Sequence, residues 1–376
     1  MFVIRLSCVL LFGLLCHSAQ AIEFSEADKA LIATHGPWPP APRIDDSNRV
    51  SGLPASIKLG EKLFFEHDLG GDSNLSCASC HDPGLLFSDG KPTASGRSDM
   101  QRNTPGLLNI ALNRWFGWGG ETDSLWAQTV RPILSPVEMA ATADSVKKLL
   151  QWKPPYRDLY QDAFGRPIDS VAPNEVLVDV AKAIAAYQET LWSAPAEFDL
   201  FREALIAGDV EAMARYPKSA QRGLKIFIGE GRCNLCHFGP AFSTGEFANI
   251  GIDFFVEGGV DSGRYQGIQQ LKAGAYNRLS DHNDGDPDLN AVSTRQVHLK
   301  PRNWGEFRIP GLRGVASTAP YMHNGSLPTL RDVVLHYSEM DEERLHADGE
   351  KLLRPLNLDD QQIEDLVRFL ESLGYD

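Results

Sequence analysis

Positive charge is scarce in this chain. Its 376 residues carry 36 Lys and Arg against 50 Asp and Glu, a formal net charge of −14. Nucleic acid and anionic membrane surfaces are therefore poor electrostatic partners. Long apolar runs are missing as well. Past residue 21 nothing approaches the ~20 apolar residues that a spanning helix needs. Strand signals are few, which leaves helical periodicity as the dominant pattern. Cysteine is rare: of six, Cys8 and Cys16 lie in the first 21 residues and the other four sit in two short strings. None remains for a structural disulfide.

Residues 1–21 read as a cleaved secretory leader. Arg5 supplies a small positive flank, Val9–Leu15 the apolar stretch and Ala19-Gln-Ala21 a cleavage site, so the mature chain should start at Ile22. Leu15 is too bulky to make Cys16 a lipoprotein site. Export implies an oxidising compartment, and the periplasm of a Gram-negative bacterium is expected. Four cysteines that survive export without pairing need another use.

The two strings supply one. Cys77-Ala-Ser-Cys80-His81 and Cys233-Asn-Leu-Cys236-His237 are both C-x-x-C-H, the pattern that attaches a c-type haem. The thiols add across the porphyrin vinyl groups and the adjacent histidine becomes an axial iron ligand. A zinc site or disulfides would explain the cysteines alone, but not a histidine directly after each pair. Both strings follow similar amphipathic stretches, Leu59–Phe65 and Arg222–Ile228. This weak internal repeat implies a mainly α-helical protein with two cytochrome-c-like domains, each carrying one covalent c-type haem.

Helical periodicity marks Ser145–Leu150, Asn174–Leu191 and Leu358–Leu373, the last capped by Asp359-Asp360 and stopped near Gly374. Gly84–Gly120 and Glu257–Pro301 are broken by Gly and Pro or rich in Gly and Asp. Both are expected to be long loops, which in a compact domain are usually functional or bound to a cofactor. The domain boundary should fall between Trp192 and Lys218, giving residues 22–205 and 206–376. Each iron also needs an axial partner or an open position on its other side. Met, His, Tyr or nothing are all compatible with the spacing.

Further motifs narrow this. The paired strings, Arg102-Asn-Thr-Pro105, Ser135-Pro-Val-Glu-Met139, and Thr318-Ala-Pro-Tyr-Met-His-Asn-Gly325 followed by Leu330 together resemble the bacterial di-haem cytochrome c peroxidase and MauG family. The resemblance runs over most of the mature chain. It implies that the haem on His81 reacts with hydrogen peroxide and that Trp118 relays charge between the haems. It puts Gln128, Pro132 and Glu138 in the peroxide pocket, the glutamate in acid/base work. It also implies one calcium ion, held by the Asn103 side chain and the carbonyls of Thr318 and Pro320; mixed amide and carbonyl oxygens suit that cation. Met322 and His323 would lie near a haem without ligating it.

Departures from the family pattern sharpen the expectation. Ordinary di-haem peroxidases carry a distal histidine before the Arg-Asn-Thr-Pro motif, but Ser95–Gln101 has none. The first haem should then be open to peroxide. At the position of the second haem's axial methionine stands Tyr337, as in MauG-like members, with Met340 as the nearby rival. An oxygen ligand favours oxidised iron where a thioether favours reduced iron. The resemblance therefore implies a high-valent di-haem state that oxidises a Trp or Tyr of a secreted or periplasmic partner protein. The stretch Gly229–Arg232 lacks the aromatic that MauG uses toward its own partner, so a different partner, or an exit through Trp304, is expected. A peroxidase fed by a small redox protein and a non-enzymatic di-haem electron carrier are the alternatives.

Overall fold

The computed structural model describes residues 22–256, 259–344 and 353–374. The expected leader, with Cys8 and Cys16, lies outside the described residues. The described chain is mainly helical: α1 Glu26–Ala33, α2 Pro54–Phe64, α3 Leu125–Leu134, α4 Ala143–Trp152, α5 Tyr156–Phe164, α6 Pro173–Gln188, α7 Glu197–Ala207, α8 Val210–Met213, α9 Lys218–Ile228, α10 Arg264–Ala273, α11 Pro287–Asn290, α12 Val292–Gln296, α13 Leu330–Ser338 and α14 Asp360–Glu371. Strands are two-residue pieces: β1 Phe247–Ala248 pairs antiparallel with β4 Phe307–Arg308, and β2 Phe255–Val256 with β3 Gly259–Val260. No helix among the described residues is long and apolar enough to cross a membrane.

Two apolar cores form, one behind each C-x-x-C-H string. The first gathers α2 to α6 around Leu59, Phe64, Trp126, Val130, Tyr160 and Ile184. The second gathers α7, α9, α13 and α14 around Phe198, Phe227, Phe242, Val334 and Phe369. Both are built on the same crossing. Gly60 of α2 lies against the Ala183 carbonyl of α6, and Gly223 of α9 against the Asp365 carbonyl of α14; a Cβ at either glycine would collide with backbone. The helix entering each string therefore needs glycine where it crosses its partner. Arg222, beside that glycine, reaches back to Asp365 through Nε at 2.5 Å and Nη2 at 2.6 Å.

The helices expected at 145–150, 174–191 and 358–373 are present as α4, α6 and α14. Thr142 and Asp359 cap α4 and α14 with capping boxes. Two expectations are corrected. The segment 257–301 is not a plain loop: it contains α10, α11 and α12. And the cores are not divided by a cut at 205/206, which falls inside α7, a helix of the second core. Phe24 and Ile32, from α1 and the residues before it, also belong to that second core. In the other direction, Asp284 ion-pairs with Lys182 of α6 at 2.5 Å, and Tyr276 packs on the first core. Each core thus borrows a segment from the far end of the chain.

His35, just past α1, is fully buried and stacks on Phe242 with centroids 4.5 Å apart. Burial pulls its imidazole down to about 4. It stays neutral in the folded chain, whereas the unfolded chain protonates it below its ordinary 6.5. Its stabilising share is complete above pH 6.5 and is lost as the pH falls toward 4, a loss of about 3 kcal/mol when complete. His35→Phe should flatten this acid-side slope, as read from urea midpoints between pH 7 and 4.5.

Candidate functional site

Each string folds into one turn of 3-10 helix, Cys77–Ser79 and Cys233–Leu235, and the histidine amide closes it. His81 N donates to the Cys77 carbonyl at 2.9 Å and His237 N to the Cys233 carbonyl at 2.8 Å. Nδ1 of His81 lies 2.9 Å from the Phe87 carbonyl, and Nδ1 of His237 2.9 Å from the Phe242 carbonyl. Both phenylalanines hold left-handed backbones, φ 59° and 52°, a conformation that bulky residues seldom adopt. The strain aims each carbonyl at its imidazole. With Nδ1 donating, Nε2 is left with its lone pair outward, the form that binds a metal. Burial lowers both imidazoles below their usual range, so they are neutral near pH 7.

All four cysteines are free thiols, and burial pushes Cys77 and Cys233 up to about 12. Among the described residues no group of three or more His, Cys, Asp or Glu is placed to hold a metal ion. Two close thiols, a freed ring nitrogen and an apolar surround fit a covalently attached haem at each string.

The second string opens into a cavity of about 1410 Å³ lined by Cys233, Cys236, His237 and Tyr337 among others. Ligand pockets commonly measure about 300–1,000 Å³, so this one has room for a porphyrin. Tyr337 projects from α13. Burial and the thiols of Cys233 and Cys236 push its phenol well above its usual range, keeping it protonated in the absence of a metal. Met340, the rival ligand, is buried but does not line this cavity. Met322 and His323 do line it; His323 stacks flat on Phe307 with centroids 3.5 Å apart.

Trp118 is buried on the wall of the same cavity and touches both halves of the site. Its Nε1 donates to the Asn103 carbonyl at 2.8 Å, and its own carbonyl accepts from Arg308 N at 2.8 Å. Asn103 lies two residues before Pro105, whose carbonyl faces His81; Arg308 lies two residues before Pro310, whose carbonyl faces His237. Of its neighbours, Trp126 is packed in the first core and donates to Ser47 at 3.0 Å, while Trp115 also lines the cavity. Asn103, Thr318 and Pro320 lie together: the Asn103 amide reaches the Pro320 carbonyl at 3.4 Å, and Asn103 N donates to the His323 carbonyl at 2.7 Å. As placed, it is the amide nitrogen of Asn103 that faces Pro320, and it also donates to the Lys91 carbonyl at 2.8 Å.

Near the first string, the segment 94–100 folds back against 137–138. Arg97 N donates to the Glu138 carbonyl at 3.2 Å and Ser98 N to the Val137 carbonyl at 3.3 Å. Cys80 Sγ lies 3.8 Å from the Ser95 carbonyl and feels the Glu138 charge. Burial raises the Glu138 carboxyl above its ordinary value, offset in part by Arg131. Gln128 accepts from Thr122 at 3.0 Å and from Arg131 at 3.3 Å. Pro132 sits inside α3, one turn past Gln128, and its carbonyl accepts from Met139 N at 3.1 Å. Arg131 thus joins Gln128 and Glu138 in one electrostatic neighbourhood.

Sequence reasoning missed the carbonyls of Phe87, Pro105, Phe242 and Pro310, which face the two imidazoles. The signal is present. Phe87-Ser-Asp-Gly90 and Phe242-Ser-Thr-Gly245 follow the two strings, and Pro105-Gly-Leu107 and Pro310-Gly-Leu312 follow later. The internal repeat therefore continues downstream of each histidine.

A family model described as di-haem cytochrome c peroxidase matches residues 54–205, and one described as RoxA-like, cytochrome c-like matches residues 307–340. The chain is 34% identical over 322 residues to the methylamine utilization protein MauG of Methylorubrum extorquens, covering 85% of this chain and 78% of that one. It is 32% identical to the cytochrome-c peroxidase IdrP1 of a Pseudomonas species, covering 90% and 85%. A crystal structure of a MauG-like protein associated with microbial copper homeostasis superposes with a TM-score of 0.65 at 26% identity, covering 90% of this chain and 95% of that one.

Replacing Cys233 and Cys236 by Ala together should halve the covalent haem content of the purified protein, as should replacing Cys77 and Cys80. A pyridine haemochrome assay against protein concentration checks both; an unchanged ratio would exclude these strings as the attachment sites.

Proposed function

The chain belongs to the di-haem cytochrome c peroxidase and MauG family, and on that premise we propose that it uses hydrogen peroxide to oxidise a Trp or Tyr side chain of a partner protein. Proteins of this family are peroxidase-type oxidoreductases with two haems. The proposal includes the layout of one haem on each string, export to the periplasm and a calcium ion at Asn103, Thr318 and Pro320.

The observation that carries the reading is the inequality of the two strings. Tyr337 shares a cavity with His237 and Met340 does not, while Ser95–Gln101, beside the first string, contains no imidazole. A phenol oxygen over the second site favours the oxidised metal and makes that site a poor acceptor for electrons from a small redox protein.

The haems would supply the redox chemistry with peroxide, and the chain supplies position, protons and a path. His81 and His237, each locked by a phenylalanine carbonyl, present Nε2 as proximal ligands. Glu138 takes the proton from incoming peroxide and returns it to the departing oxygen; a carboxyl raised by burial suits both steps. Gln128, held by Thr122 and Arg131, orients the peroxide, and Pro132 shapes that wall. Trp118, bonded toward both proximal loops, carries charge between the sites. Tyr337 caps the second.

A peroxidase fed by a small redox protein is the second reading, favoured by the relatives named cytochrome-c peroxidase. A passive electron carrier is the third, and a high-spin ferric signal in the resting EPR spectrum would exclude it. Adding peroxide to the fully oxidised protein separates the first two. A persistent spectral change without any reductant is expected; a requirement for prior reduction would overturn the proposal. Glu138→Gln should slow the reaction with peroxide about 10²–10⁴-fold at unchanged haem content. In the wild type the rate should fall as the pH drops through a value above the ordinary carboxylate range, because only the ionised form accepts the peroxide proton. The variant should lack that limb in stopped-flow profiles.

A further inference from the structure

Two buried arginines on the wall of the large cavity make no direct ion pair. Arg264 and Arg308 are 3% and 5% exposed, and both line the cavity into which Cys233, Cys236 and His237 open. Neither forms an ion pair with a described carboxylate. Their protein partners are carbonyls of one turn: Arg264 Nη1 donates to Gly119 and Gly120 at 3.2 and 2.8 Å, and Arg308 Nε donates to Gly117 at 3.2 Å. A guanidinium has five N–H donors. Among the described residues, no protein acceptor takes either terminal nitrogen of Arg308 or the Nη2 of Arg264. Three carboxylates act on Arg264 without pairing with it: Glu121 is engaged by Arg102 and lies 3.7 Å from Arg131, Glu246 pairs with Arg114, and Glu306 accepts from Asn303.

Two desolvated cations without a directly paired counter-ion are costly. Burial pulls both guanidiniums down to about 10, more than Glu246, Glu121 and Glu306 raise Arg264 or Glu121 raises Arg308. Aromatic faces cover the other sides: Arg264 lies 3.9 Å from the Phe247 centroid and 4.5 Å from that of Trp115, and Arg308 5.9 Å from that of Trp118. The remaining open direction is the cavity.

We propose that Arg264 and Arg308 are the receptors for the two propionate carboxylates of the haem attached at Cys233 and Cys236, one arginine to each. This rests on haem attachment at the second string, not on the peroxide chemistry. It also gives the pair a positioning role. Both arginines grip the Gly117–Gly120 turn, so carboxylates seated on them fix the backbone that carries Trp118. Loading the cofactor would then set the relay.

The test uses the full-length holoprotein matured in an exporting host. Arg264→Gln and Arg308→Gln should retain two haems by pyridine haemochrome, because the thioether bonds are untouched. Each should shift the reduced-to-oxidised ratio of the second haem about tenfold toward the oxidised form at a fixed applied potential, about 59 mV for a one-electron couple. The exposed Arg114, paired with Glu246 on the same wall, is the control: Arg114→Gln should leave the potential unchanged. Should a Gln variant fail to accumulate, Arg308→Lys decides, since it keeps the charge but loses the planar fork. It should shift the propionate bending band in the resonance Raman spectrum. Unshifted potentials in loaded Gln variants, or an unshifted band in the Lys variant, would overturn the assignment. Absence of a second haem in the wild type would instead overturn attachment itself, and a need for prior reduction with peroxide would leave the arginine assignment standing.

Discussion

The hydrogen bond from a histidine Nδ1 to a phenylalanine carbonyl is the constraint on which this molecule is organised. It occurs twice, with the same 2.9 Å separation. To make it, the chain accepts a bulky residue in a left-handed backbone at Phe87 and Phe242. In return, the imidazole keeps one tautomer, one ring plane and one free lone pair. The helices, cores and loops around each string hold that geometry. α2 crosses α6 and α9 crosses α14 at a glycine in each case, so each string leaves its helix at a fixed height over the core.

Around this repeated frame the two sites diverge. The second is enclosed by residues from many parts of the chain and has the Tyr337 phenol on its wall. The first is bordered by a short folded-back segment and a glutamate held partly out of water. Trp118 belongs to neither. One hydrogen bond from its ring and one to its carbonyl tie it to the loops behind both histidines. A shift in either loop is felt at the same indole. The Arg102 guanidinium reinforces this junction, pairing bidentately with Asp261 at 2.6 Å through Nε and Nη2.

Much of this was legible in sequence because the chemistry is local. C-x-x-C-H is five residues long, and α4, α6 and α14 carry caps or clear apolar stripes. What escaped was non-local. α10 was read as loop because its inward face offers little apolar surface: Arg264, Gly267, Ile268 and Leu271. Gly267 is there because the Gly119 carbonyl lies against it, a contact across about 150 residues of sequence that no periodicity announces. Arg264 and Arg308 look like ordinary surface cations in sequence, and burial is what makes them informative. The division of the cores was misjudged for the same reason. Phe24 and Ile32 read as the start of the first half, yet they pack in the second.

That exchange of ends bears on how the protein is made. α1 is synthesised early, but its packing partners are α7 and α9, well past the middle of the first core's helices. Conversely, Lys182 is buried at the centre of the first core and waits about 100 residues for the Asp284 carboxylate that balances it. Such contacts close large loops and are slow to form. The first core waits for Asp284 and the second for α14. The two strings therefore stay exposed together until late in synthesis.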